Sequence, residues 1–185
     1  MAIRGTDART LRSADGLRRH HLGLDPATEK LLRRALADRE RGLRATEVHV
    51  SDWMPITQER VSDFAKATSD FQWIHTDPER AAKESPWRTT IAHGYLTMSL
   101  YPVLRGIVEE GKPIVPGVKT VVNYGTNKMR FVNAVKVGAK IRGRIKLLGV
   151  EEVKGGVQIV EEYTVEIDGE SKPACVAEVI MRLYF

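Results

Sequence analysis

Beyond residue 117, apolar and polar residues alternate with a period of two almost to the end of the chain, a pattern that leaves few folds open. Ile141, Gly143, Ile145 and Leu147 alternate with Arg142, Arg144 and Lys146. Val157, Ile159, Tyr163, Val165 and Ile167 largely share one face, and residues 176–184 alternate again. Gly155-Gly156 and Asp168-Gly169 separate these runs as hairpin turns. Residues 118–135 form a further extended stretch, with Gly125 as a bulge or a point of close approach. Strands of this kind must bury one face. The one segment long enough to cover it spans residues 94–108, where Leu96, Leu100, Leu104, Ile107 and Val108 recur at helical spacing. Pro102 lies inside it, and an interior proline costs about 3 kcal/mol and kinks the axis, so a bend or break is expected there. A long helix followed by an antiparallel meander is an α+β arrangement.

Upstream, Val48 and Val50 predict a short strand that exits through residues 52–55. Thr57 is placed to cap a helix carrying Val61, Phe64 and Ala65, which runs out near Thr68. Residues 69–75 read as a loop. Asp77-Pro78 opens a short helix through about Lys83, by an acidic cap followed by proline at the first helical position, and residues 85–90 form a second loop. Asp25-Pro26 repeats that signal ahead of Leu31, Leu32, Ala35 and Leu43. The chain therefore divides into a basic, partly flexible extension with one helix, residues 1–44, and one domain, residues 45–185.

Charge follows that division. Residues 1–50 carry 11 Lys and Arg against 7 Asp and Glu, which is +4 of the chain's +5, and the remainder is nearly neutral. The pI of 9.4 describes the extension and is not a nucleic-acid footprint over the whole surface. A single cysteine, Cys175, excludes an internal disulfide, and its apolar neighbourhood makes it a buried, inert thiol. His20, His21 and His49 have no ligand spacing, so no metal is expected. With no apolar run near the ~20 residues of a membrane span and no secretory signal, a cytoplasmic location is the default expectation.

The candidate chemistry lies between the first helix and the apolar segment. Asp70 and His75 stand five residues apart, and both can reach one water molecule from a loop. A carboxylate and an imidazole can share proton transfer near neutral pH. Taken alone, the pair is better read as a helix-end or turn carboxylate and a partly buried polar ring than as a catalytic pair. Ala92-His93-Gly94 then falls where the apolar helix begins, so free N–H groups and the helix dipole favour developing negative charge. Gly94, without a side chain, allows a substrate carbonyl to approach its N–H. Water attack on a conjugated thioester develops an enolate-like oxyanion that needs such a donor. His93 is read as fixing the loop before the helix rather than as a second catalytic imidazole.

Three blocks in order carry a family resemblance: Ser-Asp-Phe-Gln-Trp-Ile-His-Thr-Asp-Pro at residues 69–78, Ile-Ala-His-Gly-Tyr-Leu at 91–96, and Asn123-Tyr124-Gly125 followed by Arg130-Phe131. Over residues 45–185 the chain resembles the MaoC-like family of R-specific enoyl-CoA hydratases, within it the nodulation protein N-like branch. The resemblance implies a hot-dog fold, an antiparallel sheet wrapped around a long central α-helix. It implies reversible hydration of a trans-2-enoyl-CoA to a 3-hydroxyacyl-CoA, of R configuration, by syn addition. Asp70 and His75 match the family's water-activating pair, and Gly94 matches its oxyanion donor. Ala92, His93, Trp73, Tyr124 and Gly125 are the expected substrate-binding positions. A homodimer with coenzyme A along the subunit interface is implied, with no cofactor beyond the coenzyme A of the substrate and no membrane partner. The chain departs from the hydratase pattern at Gln72-Trp73, where Asn-Pro is usual, and at Pro102, where some hydratases carry a serine. The competing readings are a hot-dog thioesterase, a carrier-protein dehydratase, and a non-catalytic acyl-CoA-binding module that uses its basic arm to reach a partner.

Overall fold

A computed structural model describes residues 46–107, 111 and 117–185 of the chain. The N-terminal extension, with the helix expected from Asp25-Pro26, lies outside the described residues, as does the end of the apolar segment at Val108.

Six strands form one antiparallel sheet: β1 (Thr46–Val50), β2 (Met54–Pro55), β3 (Thr120–Phe131), β4 (Lys140–Val153), β5 (Gly156–Ile167) and β6 (Cys175–Tyr184). Their order is β1-β4-β5-β6-β3, with β2 also paired to β4, so the 12-residue β3 is an outer edge. Alternation sets the register. Ile141 pairs with Ile167, Gly143 with Val165, and Ile145 with Tyr163, which puts all six on the inner, buried face. Cys175, Ala177, Val179, Met181 and Leu183 continue that face on β6. The β3–β6 register slips between Asn123 and Gly125, so the expected bulge is present and Tyr124 is its unpaired residue.

Among the described residues, five helical segments precede β3: α1 (Gln58–Thr68), α2 (Trp73–Thr76), α3 (Pro78–Glu84), α4 (Gly94–Ser99) and α5 (Tyr101–Leu104). Thr57 caps α1, its hydroxyl accepting the Arg60 N–H at 3.2 Å, and Ser69 ends it in the left-handed conformation at φ 60°. Asp77 caps α3 in the same way through the Arg80 N–H at 2.9 Å. The loop expected over residues 69–75 is corrected in one respect: Trp73–Thr76 closes a helical turn, with the Asp77 N–H donating to the Trp73 carbonyl at 3.0 Å. The turn draws on no apolar period, which is why periodicity did not reveal it.

The expected long central helix is also corrected, to two short segments broken at Leu100. Pro102 has no N–H to offer the Met98 carbonyl, and its ring crowds the preceding turn. On either side the ladder holds, with Leu100 N–H to Leu96 at 3.1 Å and Leu104 N–H to Leu100 at 2.9 Å. The pair still covers the sheet, burying Leu96, Leu100, Tyr101 and Leu104. Gly143 permits the close fit, since a Cβ there would sit 3.1 Å from both the Leu104 Cβ and the Tyr163 ring. Within this core lies a carboxylate, Glu161, held by Arg105 Nε and Nη2 (both 2.9 Å) and by the Tyr101 hydroxyl (2.6 Å).

Candidate active site

The end of α1, the turn α2 and the strap leading into α4 converge at one end of the sheet. Ser69 reverses the chain after α1 and leaves the Asp70 carboxylate half-exposed, with its Oδ1 accepting the Gln72 N–H at 3.4 Å. Four residues of α2 then turn His75 inward, where it is only 7% exposed. The strap is sewn down from both sides: Ile91 N–H donates to the Ile74 carbonyl at 3.0 Å, and Ala92 N–H donates to the Val135 carbonyl at 2.8 Å.

His75 is held by its ring and by its backbone. Its Nδ1 lies 2.7 Å from the Ile91 carbonyl, which can only accept, so the hydrogen sits on Nδ1 and the Nε2 lone pair is left bare in the neutral ring. Gln58 Nε2 donates to the His75 carbonyl at 2.8 Å, and the Thr90 hydroxyl donates to Gln58 Oε1 at 2.5 Å. Burial pushes the His75 imidazole below its ordinary pKa. The adjacent His93 ring adds to that, while the Ile91 hydrogen bond and the Asp70 carboxylate oppose it. A neutral imidazole with a free Nε2 is a proton acceptor.

His93 is buried against this pair. Its ring stacks on His75 with centroids 3.8 Å apart and 26° between planes, and its Nε2–H donates to the Asp70 backbone carbonyl at 3.0 Å. Gly94 opens α4 as its first residue, so its N–H has no carbonyl one turn earlier, and no hydrogen bond among the described residues uses it. By contrast, the Ala92 N–H is committed to Val135. A Cβ on Gly94 would meet the Phe131 ring at 2.8 Å, so only glycine fits beneath that ring.

The structure thus brings Asp70, His75, His93 and Gly94 together, with Ala92 buried in the strap behind them. Trp73 begins the same turn, its ring lying under the Arg80 guanidinium at 4.4 Å. Tyr124 and Gly125 stand apart on the exposed edge strand, the Tyr124 ring 3.5 Å from the Arg182 guanidinium. Sequence reasoning missed Gln58 and Thr90, whose bond joins residues 32 apart and leaves no local signal.

Ligand atoms of Asp70, His75 and His93 all lie within 4.8 Å of one another, close enough to raise the question of a metal. Imidazole lone pairs lie in the ring plane, and two stacked rings send them side by side rather than to one ion about 2.0–2.1 Å away. His75 Nδ1 and His93 Nε2 are also already engaged by carbonyls. The arrangement suits proton transfer better than coordination.

An antiparallel sheet packed on a helical segment, with an Asp/His pair and a glycine N–H at one end, defines a hot-dog domain of the hydratase/dehydratase type. The profile of the MaoC like domain matches residues 43–169, and the chain belongs to that family. It is 51% identical over 137 residues to 3-hydroxyacyl-thioester dehydratase Z of Mycobacterium tuberculosis, covering 74% of this chain and 87% of that protein. It is 40% identical over 141 residues to nodulation protein N of Rhizobium leguminosarum bv. viciae, covering 75% and 85%. Its fold is similar to that of the (R)-hydratase from A. caviae, with a TM-score of 0.57, 22% identity, and coverage of 77% of this chain and 98% of that one.

Proposed function

We propose that this domain reversibly hydrates a trans-2-enoyl-CoA to the (R)-3-hydroxyacyl-CoA. The observation that carries the reading is the His75 tautomer: a buried imidazole whose Nδ1–H is tied to the Ile91 carbonyl and whose Nε2 is free beside the Asp70 carboxylate. Asp70 holds one hydrogen of the attacking water and His75 Nε2 removes the other. The water oxygen bonds to C3, the C2–C3 double-bond electrons move onto the thioester oxygen, and the Gly94 N–H stabilises that oxyanion. His75 then returns its proton to C2 on the face from which it came, giving net syn addition of one water and a regenerated base. Coenzyme A enters as part of the substrate, and no metal or redox group is required.

The working unit is a homodimer joined along β3. That strand is a sheet edge, and Tyr95 (66% exposed) and Phe71 (59% exposed) flank the site uncovered in the single chain. Pairing β3 with its copy extends the sheet, covers those side chains and closes the site from water, with coenzyme A lying along the junction.

The test is incubation with crotonyl-CoA and longer 2-enoyl-CoAs, following the conjugated-thioester absorbance, free thiol and product configuration. Absorbance loss without thiol release, giving the R product, is the expected result. Thiol release would indicate a thioesterase, and binding without turnover would leave an acyl-CoA-binding module.

A further inference from the structure

One buried polar side chain has no part in that reaction. His93 is 3% exposed, stands at the N-cap of α4 without making a side-chain cap bond, and its Nδ1 has no hydrogen-bond partner. A buried nitrogen left unpaired is a cost that leucine or phenylalanine of similar volume would avoid. What an apolar residue could not do is touch both members of the pair in different ways. The His93 ring stacks on His75 at 3.8 Å, with Phe64 of α1 tilted against it at 5.1 Å. Its Nε2–H fixes the Asp70 carbonyl at 3.0 Å, and the Asp70 carboxylate lies 4.0 Å from the same nitrogen.

We infer that His93 is a positioning residue that locks Asp70 and His75 into one unit, with its ring setting the plane of the base and its N–H setting the backbone that aims the carboxylate. The kinetic part of this inference rests on the hydration reading; the geometric part does not. Among the described residues, Asp70 is the titratable group facing the two rings. α1 presents Phe64 to them, and the strap presents the Ile91 carbonyl. The neighbouring His93 ring also lowers the His75 pKa, so loss of the imidazole at 93 eases protonation of the base.

Two substitutions separate the contacts. His93→Phe keeps a stacked ring and deletes the donor to Asp70, whereas His93→Gln keeps a donor and deletes the stack. The 15N resonances of the His75 ring are followed against pH in the native chain and both variants, alongside kcat and KM for a 2-enoyl-CoA. The expected result is a His75 titration midpoint that moves to higher pH in both variants. In His93→Phe, kcat falls about tenfold or more with KM nearly unchanged, and His93→Gln recovers part of the loss. A His75 midpoint at its native value in both variants overturns the inference, and so does a native kcat in both. If the native chain turned over no enoyl thioester, the hydration reading would fall, and the His75 titration would still decide the role of His93.

Discussion

His75 is prepared by one neighbouring carbonyl and by its own burial. Ile91 chooses its tautomer by accepting from Nδ1, and burial chooses its charge by disfavouring the imidazolium. Because the folded pKa is lowered, the neutral base persists as pH falls past the ordinary imidazole value of about 6.5. The acid limb of kcat/KM is therefore expected below that value, and a limb above it would mean that another group limits the rate. Cys175 shows the same effect of burial. Its thiol is fully buried and burial pushes its pKa up to about 11, so native protein should resist a disulfide reagent at neutral pH and react stoichiometrically once unfolded. That Asp70, His75 and Gly94 would lie near one another was legible in the sequence because two of the three ordered blocks carry them. Gln58 was not, because a glutamine in the first turn of a helix gives no sign of the backbone carbonyl it will hold 17 residues later.

At the scale of elements, α5 is short, carries a proline in its first turn and is fixed to the sheet by a charge. Glu161 occupies an inward position of β5 between Ile159 and Tyr163, and the side chains that satisfy it, Tyr101 and Arg105, lie one turn apart on α5 and its C-cap. Replacing Glu161 with alanine leaves the Arg105 guanidinium buried without a counter-charge. The expected loss is about 3–5 kcal/mol in denaturant unfolding, whereas replacing all three with apolar residues of similar volume should be close to neutral. The alternation in β5 was readable, yet the polar break at position 161 was not interpretable, since its partners come from a segment 56 residues earlier. Pro102 was the opposite case: its missing N–H is a local fact, and the break at Leu100 followed from it.

For the whole molecule, sheet order matters more than any single residue. β3 leaves the helical segment, crosses to pair with β6 and ends as an edge, which places Phe131 over Gly94 and leaves Val122 and Thr126 exposed along the strand. A dimer joined there predicts that the double substitution Val122→Lys and Thr126→Lys, by setting like charges against one another, lowers the sedimentation mass from dimer to monomer and reduces turnover with it. A dimer mass that survives would place the interface elsewhere. The antiparallel meander and its turns were legible from period and glycine positions. The edge status of β3 was not, because strand order depends on pairings between distant segments.

General acid–base hydration by Asp70 and His75 is tested by the rate of absorbance loss with crotonyl-CoA for the native chain, Asp70→Asn and His75→Ala. Turnover by the native protein is expected, with a fall of about 10²-fold or more in each variant and both variants folded and dimeric. Turnover retained within a few-fold of native in either variant would contradict it.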